Sequence, residues 1–207
     1  MEFSQKIVLA SASPRRTELL AMAGIPHTVM TAFADEGSVK FDNNSIEKYV
    51  CDIARLKNDA LFEQKKNDFS NAIIISADTV VFLPSEDNGD GIHGSGQILG
   101  KPKSEEDAFN MLRLMSGKRH LVVTGVVIRN LLRKTVRAFD EVSRVYFREL
   151  EDAEILRYIE EYKPLDKAGA YGIQEAACTF VRRIEGDYSN IVGLPAARVV
   201  EELRREI

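Results

Sequence analysis

Ile7-Val8-Leu9-Ala10-Ser11-Ala12-Ser13-Pro14-Arg15-Arg16 is the stretch from which the rest of the chain is read. Its apolar, β-branched start predicts a short buried strand. The Ser and Pro that follow suit the cap and the first position of a helix. Arg15 and Arg16 then fall in the first helical turn, where the macrodipole is positive and each cation costs roughly 0.3–1 kcal/mol. An anion lying between them removes that cost. Backbone N–H groups, the hydroxyls of Ser11 and Ser13 and both guanidinium groups would share one small volume suited to phosphate. The plain alternative is an ordinary capped helix with both arginines bent out to solvent.

Outward from this unit, strand and helix patterns alternate. A helix over 14–23 stops at Gly24, His27–Ala32 reads as a strand, and an acidic loop holds Asp35-Glu36-Gly37. Ser45 opens a long helix to about Lys65, with Ile46, Tyr49, Val50, Ile53 and Leu61 on its apolar side. Ala72–Ser76 is an apolar strand, resumed at Val80–Leu83 after Asp78-Thr79. Ser104 caps a helix whose Ala108, Met111, Leu112 and Met115 follow helical spacing. Leu121–Ile128 and Thr135–Phe147 read as a strand pair, Glu151–Tyr162 as a helix, Thr179–Ile184 as a strand and Pro195–Glu206 as a closing helix. The alternation predicts an α/β fold with a central twisted sheet flanked by helices.

The 207 residues suffice for one domain over 1–207 with a sizeable core. A net charge of −4, with no long basic stripe, argues against a nucleic-acid partner. No apolar run is long enough for a membrane span, and the start lacks a signal-peptide pattern, so a cytoplasmic protein is expected. Cys51 and Cys178 are too few for a disulfide framework or a cysteine zinc site, and both read as buried small hydrophobes. His27, His93 and His120 are scattered, which excludes a histidine zinc site.

Asp78 follows Ile73-Ile74-Ile75, which places it at a strand's C-terminal end, where open α/β sheets bind ligands. Glu36 lies in a loop after another strand. Two carboxylates beside a phosphate site match the way magnesium is held, with one or two protein oxygens and the rest from water and substrate. Either acid alone also reads as a turn residue. Gly100-Lys101-Pro102 is not a Walker A loop: Gly96 is one residue too close, and Pro102 replaces the Ser or Thr. Lys101 is thus either a phosphate contact from a tight turn or an exposed lysine. In Lys167–Gln174 the glycines permit close backbone approach to a ligand, or simply a turn. The Gln174 amide both donates and accepts, which complements the O4 and N3–H edge of uracil or thymine.

With these phrases in view, the chain resembles the Maf family of nucleotide pyrophosphatases. The matching phrases are LASASPRR (9–16), DE (35–36), SADTVV (76–81), LGKP (99–102), MSGKRHLVVTGV (115–126), DKAGAYGIQ (166–174) and EGDYSNIVGLP (185–195), in the family's order. The resemblance implies a mixed central sheet of Maf/ITPase-like type and a metal-dependent hydrolase that cleaves nucleoside triphosphates to monophosphate and pyrophosphate. It implies that Ser11, Arg15 and Arg16 bind phosphates. Glu36 and Asp78 would bind Mg2+ or Mn2+, with Asp78 also the proton acceptor, and Lys57 and Lys101 would complete the site. Arg15, Thr79 and Gln174 are similar to the branch favouring dTTP and UTP, modified pyrimidine nucleotides included. The family often forms a homodimer, and that expectation carries over. The alternative is a non-catalytic nucleotide-binding regulator of cell division that uses the same pocket.

Two departures stand out. The family usually has a short turn between ADTVV and LGKP, whereas this chain inserts Pro84–Gln97, a polar, Gly-rich stretch expected to form a surface loop. Asp52 stands where the family's Y-V-x-R-L-A phrase carries Arg, while Lys57 keeps its place.

Overall fold

The computed structural model describes residues 4–41, 45–65, 71–85 and 95–206. Seven strands form one mixed sheet: β1 (Lys6–Leu9), β2 (Thr28–Val29), β3 (Ala72–Pro84), β4 (Gly96–Leu99), β5 (Arg119–Asn130), β6 (Thr135–Phe147) and β7 (Val181–Glu185). Their order is β2-β1-β3-β5-β6-β7, with β4 added on β3. The helices are α1 (Pro14–Met22), α2 (Ile46–Lys65), α3 (Glu105–Met115), α4 (Asp152–Tyr162), α5 (Tyr188–Val192) and α6 (Ala196–Glu206).

Strand β3 organises the molecule. On one edge it pairs antiparallel with β5 from Ile73 to Phe82. On the other edge it has two successive partners. β1 runs parallel to it over Ala72–Ile75, and β4 runs antiparallel over Val81–Pro84. The last tie to the first of these is the Ala10 N–H donating to the Ile75 carbonyl at 2.7 Å. Between the two partners, residues 76–80 face a notch in the sheet edge. Asp78 therefore lies in mid-strand and not at a strand end as its apolar run suggests. What ends at that point is the parallel pairing, because the chain leaves β1 for the helix.

Alternation along β3 sends its odd residues to one face and its even residues to the other. Ile73, Ile75, Ala77, Val81 and Leu83 join the main core with Leu19, Leu20, Leu112, Ile155, Val199 and Leu203. Val80 and Phe82 pack instead with Ile46 and Val50 of α2. That helix is fastened by polar pins. Buried Asn58 donates toward the Ile74 and Val127 carbonyls at 3.2 and 3.3 Å, and Ser76 Oγ donates to the Ala54 carbonyl at 2.7 Å. Gly125 lies opposite Asp78 in β5, and a Cβ there would sit 2.4 Å from the Val50 carbonyl carbon. Only glycine lets α2 approach the sheet this closely.

Several expected boundaries shift. The strand expected over 27–32 shrinks to Thr28–Val29, both exposed. The segment expected as a strand from 179 opens as a 3-10 turn over Ala176–Phe180, and pairing begins at Val181. The ends of the 84–97 insert are paired, Pro84 facing Gly96, so they extend a hairpin. Its residues 86–94, where the surface loop was expected, lie outside the described residues. Cys178 is exposed and Cys51 half-buried, so neither is the buried hydrophobe expected.

Candidate active site

The notch is where the two faces of β3 meet the turn that follows β1. On the α2 face, Lys57 Nζ lies 2.7 Å from Asp78 and 3.1 Å from Glu36. Helix α2 supplies the lysine, β3 one acid and a 3-10 turn over Glu36–Ser38 the other. Asp78 and Lys57 are largely enclosed, whereas Glu36 is half exposed. One ammonium thus gathers two carboxylates whose sequence positions are 42 apart. Tyr49, two turns before Lys57, belongs to this group as well. Burial, followed by the charges of Asp78 and Glu36, pushes its phenol above the usual value.

On the opposite face sits Arg16. The helix-start pattern suggests two guanidinium groups open to an anion, but Arg16 is turned inward and is only 9% exposed. Its Nε donates to the Gly193 carbonyl at 2.8 Å, and its two terminal nitrogens donate to Ser11 Oγ and Thr79 Oγ1, each at 3.0 Å. A buried cation without a counter-ion needs such oxygens around it, and α1 points this side chain at them. Burial pulls its pKa below the usual guanidinium value, and the nearby Asp78 charge works against that shift. Arg16 therefore locks together the β1–α1 turn, β3 and the turn before α6.

Thr79 is held just as firmly. Its Oγ1 lies 2.9 Å from Thr124 Oγ1 and 3.2 Å from the Gly193 carbonyl. Thr124 donates in turn toward the Asn190 carbonyl at 3.4 Å, and the Asn190 amide donates to Val122 O and Ser143 Oγ. Thr124 and Asn190 lie inside the quoted phrases, yet nothing in their local pattern marks them as supports for Thr79.

Arg15 is the guanidinium left toward solvent, a third exposed, with NH1 donating to Asp166 Oδ2 at 3.3 Å. Ser13 occupies the cap position of α1 with extended backbone and makes no side-chain cap bond, so the first-turn N–H groups remain open. Lys101 is exposed in the turn after β4, and among the described residues it contacts neither Asp78 nor Glu36. That turn instead meets the DKAGAYGIQ segment, where the Gly169 N–H donates to the Gly100 carbonyl at 3.0 Å. Gln174 is exposed at the far end of the segment. The structure thus unites Lys57, Glu36 and Asp78, and separately Ser11, Arg16 and Thr79, across one notch. Among the described residues Arg15, Lys101 and Gln174 are shown in direct contact with neither group.

Two carboxylates around one ammonium, with no third His, Cys, Asp or Glu beside them among the described residues, do not make a metal cage. They do fit a hard divalent cation that takes much of its shell from water and substrate phosphates.

Residues 6–206 match the family described as Maf-like protein. The chain belongs to the Maf family. A dTTP/UTP pyrophosphatase of Clostridium botulinum (strain Alaska E43 / Type E3) is 44% identical over 202 residues, spanning 98% of this chain and all of the relative. A dTTP/UTP pyrophosphatase of Clostridium beijerinckii is 46% identical over 190 residues, 92% of this chain and 93% of the relative. One from a Geobacillus species is 41% identical, covering 97% and 98%. Among solved structures, a nucleoside-triphosphatase/dITP/XTP pyrophosphatase of Mycobacterium abscessus covers 69% of this chain and 72% of its own. It does so at 14% identity and a TM-score of 0.33, too low to bear on fold or activity. Membership of the Maf family accounts for the order of the seven phrases.

Proposed function

We propose that this Maf protein is a nucleoside triphosphate pyrophosphatase that cleaves dTTP and UTP to the monophosphate and pyrophosphate. The observation that carries the reading is the Lys57–Asp78–Glu36 cluster on one face of β3 with, across the notch, the N-terminus of α1, whose cap residue makes no side-chain cap bond and whose Arg16 bonds Thr79. Anionic phosphates are favoured at such a terminus, and the carboxylates stand beside them. The dTTP/UTP pyrophosphatase names of the relatives support the reaction and the pyrimidine preference.

In this reading Arg15 and the first-turn N–H groups receive the triphosphate. Ser11, Arg16 and Thr79 shape the floor beneath it, with Arg16 acting through the two hydroxyls it holds. Asp78, its direction set by Lys57, orients and deprotonates a water for in-line attack on the α-phosphorus. Pyrophosphate departs toward Arg15 and Lys101, whose charges stabilise it. Gln174 meets the pyrimidine edge. Glu36 and Asp78 would hold a magnesium or manganese ion, which supplies charge neutralisation between phosphates and acids.

The test is pyrophosphate release from a panel of canonical nucleoside triphosphates, with magnesium or manganese, beside Asp78→Asn. Release from dTTP and UTP that disappears in the variant is expected. Saturable nucleotide binding without release from any triphosphate would refute the enzyme. Undiminished release from Asp78→Asn would remove Asp78 from its role.

A further inference from the structure

We propose that Asp166 is a positioning residue that ties phosphate recognition at Arg15 to base recognition at Gln174. It closes the 3-10 turn Pro164–Asp166 and uses its two oxygens in two directions. Oδ2 accepts from Arg15 NH1 at 3.3 Å, and Oδ1 accepts from Lys167 Nζ at 2.9 Å. Lys167 is only 7% exposed and reaches on to Glu175 Oε1 at 3.2 Å. The lysine side chain therefore spans the 166–175 segment from end to end. It crosses over Gly172, where a Cβ would come within 2.9 Å of Lys167 Cε. Glu175 follows Gln174 directly. The chain of contacts runs Arg15, Asp166, Lys167, Glu175, and it ends one residue from the amide assigned to the base.

The rest of the segment is anchored elsewhere, so this chain governs its two ends. Gly169 is held on the Gly100 carbonyl, and Tyr171 OH is 2.9 Å from Nε2 of buried His120. The Gly172 N–H donates to Tyr158 OH at 3.2 Å. Partial burial opposes ionisation of Asp166, while Lys167 and Arg15 overcome it and hold its pKa below the usual carboxylate value.

The proposal rests on Arg15 meeting phosphates and Gln174 meeting the base. It also predicts a sign. An acid that merely stood beside an anion site would repel the triphosphate, so its neutralisation would lower KM. A bridging acid does the reverse. The full chain, Asp166→Asn, Arg15→Ala and the double variant are compared for KM, kcat and the dTTP-to-dCTP ratio of kcat/KM, with thermal midpoints alongside. For Asp166→Asn a KM raised about fivefold or more, kcat within about twofold and a selectivity ratio eroded by about fivefold are expected. The double variant should raise KM no more than Arg15→Ala alone, because Asp166 acts on the phosphates only through Arg15, so the additive losses that would count against the link are losses in KM. A lowered KM, an unchanged selectivity ratio, additive losses in the double variant, or a lower midpoint with wild-type kinetics would each overturn the link. No pyrophosphate from the unaltered chain, or wild-type KM in Arg15→Ala, refutes the site reading itself and the link with it.

Discussion

Adjacent arginines with opposite duties give the sharpest test of the geometry. Arg16→Ala removes three hydrogen bonds from a cationic donor, to Gly193 O, Ser11 Oγ and Thr79 Oγ1. Bonds to charged groups are worth about 1.5–3 kcal/mol each, which bounds the loss at roughly 4.5–9 kcal/mol. None of the three acceptors is orphaned, however. Gly193 O keeps Thr79, Ser11 keeps the Ser13 N–H, and Thr79 keeps Thr124. The folded state also no longer bears the cost of burying a cation, about several kcal/mol. A net destabilisation of about 2–4 kcal/mol follows, and at this chain length that lowers the thermal midpoint by roughly 4–16 °C. Arg15→Ala removes one 3.3 Å contact to a largely exposed carboxylate, a kind of pair worth about 0–1 kcal/mol. It also relieves a cation at a helix start, so its midpoint should stay within about 3 °C of wild type. Kinetics should invert the order of stability, with Arg15→Ala raising the triphosphate KM in a chain that remains fully folded. Urea and thermal unfolding without nucleotide, followed by pyrophosphate-release kinetics, measure both halves. Equal midpoints for the two variants, or a greater loss in Arg15→Ala, would refute the division of labour.

Gly125→Ala places a methyl 2.4–2.5 Å from the backbone of Val50 and Cys51, so α2 must move away. A destabilisation of about 1–3 kcal/mol in urea and a fall in kcat through displaced Lys57 are expected, and wild-type stability would contradict the packing. His120 is fully buried, and burial lowers its pKa to about 3 from the usual 6.5, so it stays neutral in the folded chain. The unfolded chain then binds the extra proton. Stability from this group is whole above pH 6.5 and is lost as pH falls toward 3, by at most about 1.4 kcal/mol per pH unit. His120→Gln should flatten that part of the urea-midpoint profile, and an unaltered slope would exclude the histidine as its source. Gln174→Glu should erode preference for dTTP and UTP over other triphosphates in competition assays, because a carboxylate accepts but cannot donate as the amide does. An unchanged substrate profile would take Gln174 out of base reading.

What the residue pattern discloses is mostly local. The opening strand and helix, the long helix from Ser45 and the cap at Ser104 follow from side-chain types at neighbouring positions, and the structure forms them there. Glu36 and Asp78 stand out as a carboxylate pair beside a phosphate site, Lys57 is added by the family resemblance, and the three meet. The inward turn of Arg16 is another matter. Its principal acceptor is the Gly193 carbonyl, 177 residues away, and no helical position announces such a partner. A separation of 45 residues likewise hides Thr124 behind Thr79. The mid-strand place of Asp78 escapes the residue pattern for a related reason. Apolar runs show where a strand is buried, not where one of its neighbours leaves. Thr179 opens the expected strand over 179–184, yet it falls in a 3-10 turn where its hydroxyl donates to the Ala176 carbonyl. There local hydrogen bonding competes successfully with sheet pairing.

The gap along one edge of β3 carries a consequence for how such a site can be altered. Asp78 belongs to one side of the sheet and Thr79 to the other, and a closed sheet would seal each from its neighbour's surroundings. Reach to both depends on β1 stopping at Leu9 and β4 ending at Leu99, opposite Val81. Pairing carried across residues 76–80 by either strand would shut the passage without touching any side chain of the site. Strand length is therefore as much a determinant of chemistry here as the acids themselves, and insertions in the 84–97 hairpin are harmless only while they leave that pairing register in place.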